Sequence, residues 1–182
     1  MLLYGRGADE NDLFPLLDAL DPERRLHGYT PRGPLSLPPG GAHWYILGGI
    51  PTPEPQTFSA SYAALSEFLD ELRYEKLVLG GFSQGCAMAH ALALFRGRPR
   101  ADALLAMSGF IPRVDGYEID LDPPFPRIAI VHGVLDPVIS VEWGRAARDT
   151  LEESGADVAY RESPIGHGID PEVIPLLRDV VA

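Results

Sequence analysis

The stretch Lys76-Leu77-Val78-Leu79-Gly80-Gly81-Phe82-Ser83-Gln84-Gly85-Cys86-Ala87-Met88-Ala89-His90 decides how the chain is read. Leu77 to Leu79 is a short apolar run, the pattern of a strand buried on both faces. Gly81-Phe82-Ser83-Gln84-Gly85 fits G-x-S-x-G, a strand-to-helix turn that exposes its central serine. Cys86 to Phe95 is rich in Ala, Leu and Met and predicts a buried helix. Gly81 and Gly85 carry no Cβ, so strand and helix can approach each other across so tight a turn. The backbone N–H of Gln84 then opens a helix, where positive partial charge collects and a developing oxyanion is stabilised. Glycine-rich turns after strands are common, and the pentapeptide also arises by chance. The flanking strand and helix are the setting the motif requires.

Outward from this stretch, apolar runs alternate with helical stripes. Upstream, Leu2 to Tyr4 reads as a strand, and Asp9 or Asn11 can cap a helix that reaches about Leu20 with acids in its first turn. Arg25 to Tyr29 reads as a weak strand. Thr30 to Gln56 is a long loop dense in Pro and Gly, with Trp44-Tyr45 available to anchor it on the core or to floor a groove. Tyr62, Leu65, Phe68, Leu69 and Leu72 form a helical stripe within 58–72. Downstream, 103–107 and 128–131 read as buried strands, 141–151 as a helix, 158–162 as an edge strand, and 171–181 as a final helix with Pro171 in its first turn. Such alternation means a mostly parallel sheet with helices on both faces, an α/β architecture. Ligands of such sheets sit beyond the carboxyl ends of the strands, where Ser83, Phe110, Asp136 and His167 all fall.

A serine hydroxyl needs a base to attack, and the base needs an orienting group. In this kind of turn the acid and then the histidine follow the serine along the chain. Asp136 lies past the 128–131 strand, its turn stiffened by Pro137. His167 lies between Gly166 and Gly168. The competitors fit less well. Asp115, Asp120 and Asp122 precede the strand and read as solvated. His27 and His43 precede Ser83. His90 is on the elbow helix, and His132 reads as structural or as a support to the site. Asp9, Glu10 and Asp12 could hold a metal, but capping and helix-dipole complementarity explain them more simply. Gly5-Arg6-Gly7 lacks the third glycine of a dinucleotide fingerprint.

Bulk properties narrow the classes. A chain of 182 residues, 46% hydrophobic, predicts one domain over 1–182 with a sizeable core. The net charge of −11 argues against nucleic acid and anionic membranes as partners. Cys86 is the only cysteine, so no internal disulfide can form, and its place on the elbow helix suggests a small buried hydrophobe. No signal peptide is visible after Met1, and no stretch reaches the roughly 18 apolar residues of a membrane span. A cytoplasmic location is the expectation.

Seven segments together resemble the phospholipase/carboxylesterase group of α/β-hydrolases, which includes acyl-protein thioesterases. They are Tyr4 to Asp12, Pro31-Arg32-Gly33-Pro34, Gly40-Gly41 with Trp44-Tyr45, Gly81 to Gly85, Ser108 to Pro112, His132-Gly133 with Asp136-Pro137-Val138, and Gly166-His167. The resemblance implies a compact α/β-hydrolase without a large cap, acting on small-molecule carboxylic esters or thioesters without cofactor or metal. It implies Ser83 as nucleophile, Asp136 as orienter, His167 as base and then acid, and the backbone N–H groups of Gln84 and Arg6 as oxyanion donors. Phe110, Ile111 and Val138 would line the acyl pocket. The family usually has histidine where this chain has Tyr4, which should alter packing more than chemistry, and fewer upstream strands should make the sheet smaller. Within this class an esterase for small or medium acyl chains leads, with a thioesterase or lysophospholipase behind it. A non-catalytic binding protein on the same fold is the rival of another kind. The sequence leaves a homodimer open.

Overall fold

The computed structural model describes residues 1–182. Its centre is a five-stranded sheet of β1 (Leu2–Leu3), β4 (Val78–Phe82), β5 (Ala103–Met107), β6 (Arg127–Gly133) and β7 (Val158–Ser163), in the order β1-β4-β5-β6-β7. Every neighbouring pair is parallel. Phe82 pairs with Met107, and Met107 with Val131, so the strand ends are level. Their carboxyl ends therefore share one edge, and the loops that follow them meet there.

β5 is buried along its whole length, as a strand is when both faces of its sheet are covered. The elbow helix α3 (Gln84–Leu94) packs on β1, β4 and β5 and is itself wholly buried, so Ala, Cys and Met on every side of it keep it close to the sheet. Helix α2 (Pro55–Glu71) lies against α3 and buries Phe58, Tyr62, Leu65 and Leu69, four positions at helical spacing. Its start is fixed by Pro55 and by the Glu54 carboxylate, which accepts from the N–H groups of Gln56 and Thr57 at 2.9 Å. Helix α4 (Val141–Glu153) packs on β6 and β7. Helix α5 (Ile174–Val181) packs on β5 and β6 and against α1 (Phe14–Leu20). No helix is long and apolar enough to cross a membrane.

Four local expectations are corrected. Helix α1 begins only at Phe14, with no acid in its first turn; Asp9 instead accepts from the Asn11 N–H at 2.8 Å in the preceding turn. Residues 25–29 form no strand. Leu2 donates to the Tyr29 carbonyl at 2.8 Å, but Leu26 and Tyr29 are each 37% exposed, so the segment has no buried face to hold a strand. The long loop contains an antiparallel hairpin, β2 (Leu35–Leu37) with β3 (Gly41–His43). The last helix opens with a 3₁₀ turn over Pro171–Val173.

Candidate active site

Ser83 ends the elbow at φ 55° and ψ −119°, a left-handed conformation that costs an L-residue energy and aims its side chain away from the sheet. The glycines make that turn possible. A Cβ on Gly81 would lie 2.2 Å from the Gly85 carbonyl oxygen, and one on Gly85 2.1 Å from the Leu3 oxygen. Backbone meets backbone at both places, so no side chain can be accommodated.

The loops after β6 and β7 bring two more side chains to Ser83. His167 Nε2 is 2.8 Å from Ser83 Oγ, and His167 Nδ1 is 2.6 Å from Asp136 Oδ2. Asp136 is held from behind: its Oδ1 accepts from the N–H groups of Val138 at 2.8 Å and Ile139 at 2.9 Å. Its side chain is fully buried. Desolvation opposes its charge, but the hydrogen bonds from His167, Ile139 and Val138 outweigh it and keep the carboxyl below the usual aspartate range. The two loops are joined to each other. Leu135 N–H donates to the Ile165 carbonyl at 3.0 Å, and a Cβ on Gly133 would meet the Gly166 oxygen at 2.3 Å. Ser108 Oγ donates to the Gly168 carbonyl at 3.2 Å, and the Phe82 ring lies 4.7 Å from the imidazole of His167.

His132 supports this arrangement from below. Its buried Nε2 lies 2.9 Å from the Ile139 carbonyl and 3.5 Å from Asp136 Oδ2. Desolvation lowers its pKa, so it is neutral, and its Nε2–H donates to the Ile139 carbonyl. Helix α4 closes over it at Gly144, where a Cβ would strike Nδ1 at 2.6 Å. The remaining competitors lie elsewhere. Asp120 pairs with Arg100 at 2.8 Å. His90 is buried in the core, where desolvation lowers its pKa to about 4. Cys86 is also buried, and its thiol is pushed up to about 12, so it is no nucleophile at neutral pH.

The backbone N–H of Arg6 has no acceptor in the protein. That of Gln84 opens α3, where first-turn N–H groups lack intrahelical partners. Both residues line a cleft of about 450 Å³ together with Ser83 and His167. The Gln84 side chain ties the walls together: it accepts from Trp44 N–H at 2.8 Å and donates to the Tyr45 carbonyl at 2.7 Å. Hairpin strand β3 in turn holds the Arg6 loop, since Gly7 N–H donates to Ala42 O at 2.9 Å and Ala42 N–H to Ala8 O at 2.8 Å. Tyr4 closes the same circuit. Its hydroxyl accepts from Gly33 N–H at 2.6 Å, its carbonyl from Trp44 Nε1 at 2.9 Å.

Of the residues expected to line the pocket, Phe110 and Val138 do. Ile111 is not among the lining residues; it is half-buried and packs against the core. The sequence reading missed Leu47, Gly48, Gly49 and Ile50, which form one wall. Their signal was an apolar pair, Leu47 and Ile50, around Gly-Gly in a loop dense in Pro and Gly. Trp44 anchors the loop, as expected, whereas Tyr45 does both jobs, being buried and lining the cleft. No group of three or more His, Cys, Asp or Glu side chains is placed to hold a metal, and Glu10 pairs with Arg32.

A phospholipase/carboxylesterase family profile matches residues 30–181. The chain is similar to acyl-protein thioesterase 1 homolog 1 of Dictyostelium discoideum, 24% identical over 114 residues, covering 62% of this chain and 50% of that protein. It is similar to acyl-protein thioesterase 1 of Candida albicans, 29% identical over 156 residues, covering 74% and 65%. The matched stretch thus spans half to about two thirds of these relatives. A carboxylesterase from Bacillus cereus shares the fold with a TM-score of 0.82 at 23% identity, over 98% of this chain and 84% of that one.

Proposed function

The chain belongs to the phospholipase/carboxylesterase family of α/β-hydrolases, and from that premise we propose that it is a serine hydrolase cleaving carboxylic esters of small or medium acyl chains through an acyl-enzyme. The observation that carries this reading is the continuous line of hydrogen bonds from Ser83 Oγ through His167 to Asp136, 2.8 and 2.6 Å long.

In this mechanism Ser83 Oγ attacks the acyl carbonyl as His167 Nε2 takes its proton. Asp136 fixes the imidazole with Nδ1 protonated and stabilises the imidazolium. The carbonyl oxygen, now negative, is held by the N–H groups of Arg6 and Gln84, which are oriented before the reaction starts. His167 then protonates the leaving alcohol. Water, deprotonated by His167, attacks the acyl-serine, and the carboxylic acid departs with Ser83 restored. Tyr45, Phe110 and Val138 give the cleft apolar walls for the acyl group. Cofactor and metal have no step in this sequence.

The names of the relatives favour a second reading, an acyl thioesterase, which needs the same residues and a thiolate leaving group. A buried free thiol suits a reducing cytoplasm, where we place its action. The test is turnover of p-nitrophenyl butyrate by the wild type and Ser83→Ala, followed by matched oxygen and sulfur esters. The variant should lose activity by at least a thousandfold; an unchanged rate would overturn the mechanism.

A further inference from the structure

Arg6 is the one permanently charged residue among those that line the cleft. Apart from His167, the other residues that line it are uncharged. Arg6 is exposed and makes no side-chain hydrogen bond or ion pair. Most arginines of this acidic chain behave differently: Arg24, Arg32, Arg96, Arg98 and Arg145 each lie within 4 Å of a carboxylate. The acids that follow Arg6 in sequence are turned to other partners. Asp9 accepts from Asn11 N–H, and Glu10 grips Arg32 at 2.5 Å. Arg73, Arg113, Arg127 and Arg178 also have no carboxylate partner, but of these five arginines only Arg6 lines the cleft of the reactive serine.

We propose that Arg6 forms an anion subsite, so that the preferred substrates are esters carrying a carboxylate or phosphate within an arginine's reach of the scissile carbonyl. This rests on the hydrolase reading above and narrows its substrate class. The backbone N–H of Arg6 fixes the carbonyl oxygen's position, and the side chain of the same residue leaves from there. Carbonyl and anion are therefore recognised at a set separation. Arg suits this role because its planar, always charged head presents paired donors to a carboxylate or phosphate. The surrounding negative charge disfavours anions at a distance but does not cancel a short-range contact.

The test measures kcat/KM for two matched pairs, with uncatalysed rates subtracted. One pair places the anion on the alcohol side, 4-butyryloxybenzoate against 4-butyryloxybenzamide. The other places it on the acyl side, mono-p-nitrophenyl glutarate against methyl p-nitrophenyl glutarate, both read by nitrophenol release. Wild type should favour the anionic member of at least one pair by roughly tenfold, the size of one charge-assisted hydrogen bond. Which pair responds tells which side of the bond carries the charge. Arg6→Gln should bring that ratio to about one, and Arg6→Lys should keep part of it. Effects on the oxyanion donor are common to both members and cancel in the ratio. In wild type alone, 0.5 M salt should erode the preference, because an exposed charge is screened. No preference in either pair, or a preference that survives Arg6→Gln or salt, overturns the subsite. If wild type hydrolyses none of the four esters, the hydrolase reading fails instead.

Discussion

Ser83 holds a backbone conformation that costs about 1–3 kcal/mol for a residue with a side chain. Glycine adopts it freely at the expense of some unfolded-state entropy. Ser83→Gly should therefore abolish ester turnover while raising stability by about 1 kcal/mol, read as a higher midpoint of urea unfolding. A destabilised, inactive variant would show that the turn is not strained. Asp136 allows a complementary experiment. Asp136→Asn keeps an oxygen for the N–H groups of Val138 and Ile139 but puts an amide against His167 Nδ1. The imidazole is then driven to the wrong tautomer, and kcat should fall by roughly 10³–10⁴ with the fold retained. A loss under tenfold would mean that Asp136 does not orient the base.

Strands and helices meet where side chains are smallest. Gly109 follows β5, and a Cβ there would sit 2.4 Å from Cys86 Cβ and 2.5 Å from its Sγ on α3. Gly109→Ala should cost roughly 1–3 kcal/mol of stability and lower kcat/KM by shifting the elbow helix under Ser83; denaturation and kinetics on one preparation check both. At the sheet's far side, α4 is fastened to edge strand β7. Arg145 Nε and Nη2 donate to the two oxygens of Glu162 at 2.8 and 2.7 Å, and Tyr160 donates to Glu162 at 2.9 Å. The hydrogen bonds from Arg145 hold the Glu162 carboxyl at about 2 instead of its ordinary 4.5. A depressed folded-state pKa means stability that is present above the ordinary value and lost as pH falls from about 4.5 through about 2. Glu162→Gln should cost about 1 kcal/mol at pH 7, with the gap to wild type closing across that window; a pH-independent gap would contradict this. The elements legible in sequence were those fixed by local pattern. Leu77 to Leu79, Ala103 to Met107 and Ile128 to Val131 are apolar runs bounded by glycine or polar residues; the second forms β5, the third lies in β6, and β4 starts one residue into the first, at Val78. The hairpin was not legible because Leu35–Leu37 and Gly41–His43 are short, and β3 is held by the distant Gly7 and Ala8. The false strand at 25–29 held a single strongly β-prone residue, Tyr29, and no face to bury.

The molecule assembles its candidate site by topology: a parallel sheet carries loops from distant parts of the chain to one edge. Ser83, Asp136 and His167 were legible because each follows a strand and sits among turn-forming glycine or proline. The wall from Leu47 to Ile50 was not, since nothing local tells where a 27-residue loop folds back. Ile111 was misplaced for a related reason: its neighbour Phe110 faces the cleft while Ile111 packs against the core. The whole edge depends on β5 in mid-sheet. Leu105→Ala, at a fully buried position, should cost about 2–5 kcal/mol and move global unfolding without changing the pattern of substrate preference. The most direct test of the serine–histidine–aspartate reading is intact-mass and peptide analysis after treatment with a fluorophosphonate. Wild type should gain one adduct, on the peptide containing Ser83, and His167→Ala should gain it far more slowly. No adduct on folded wild-type protein, or an adduct on another residue, would contradict the account.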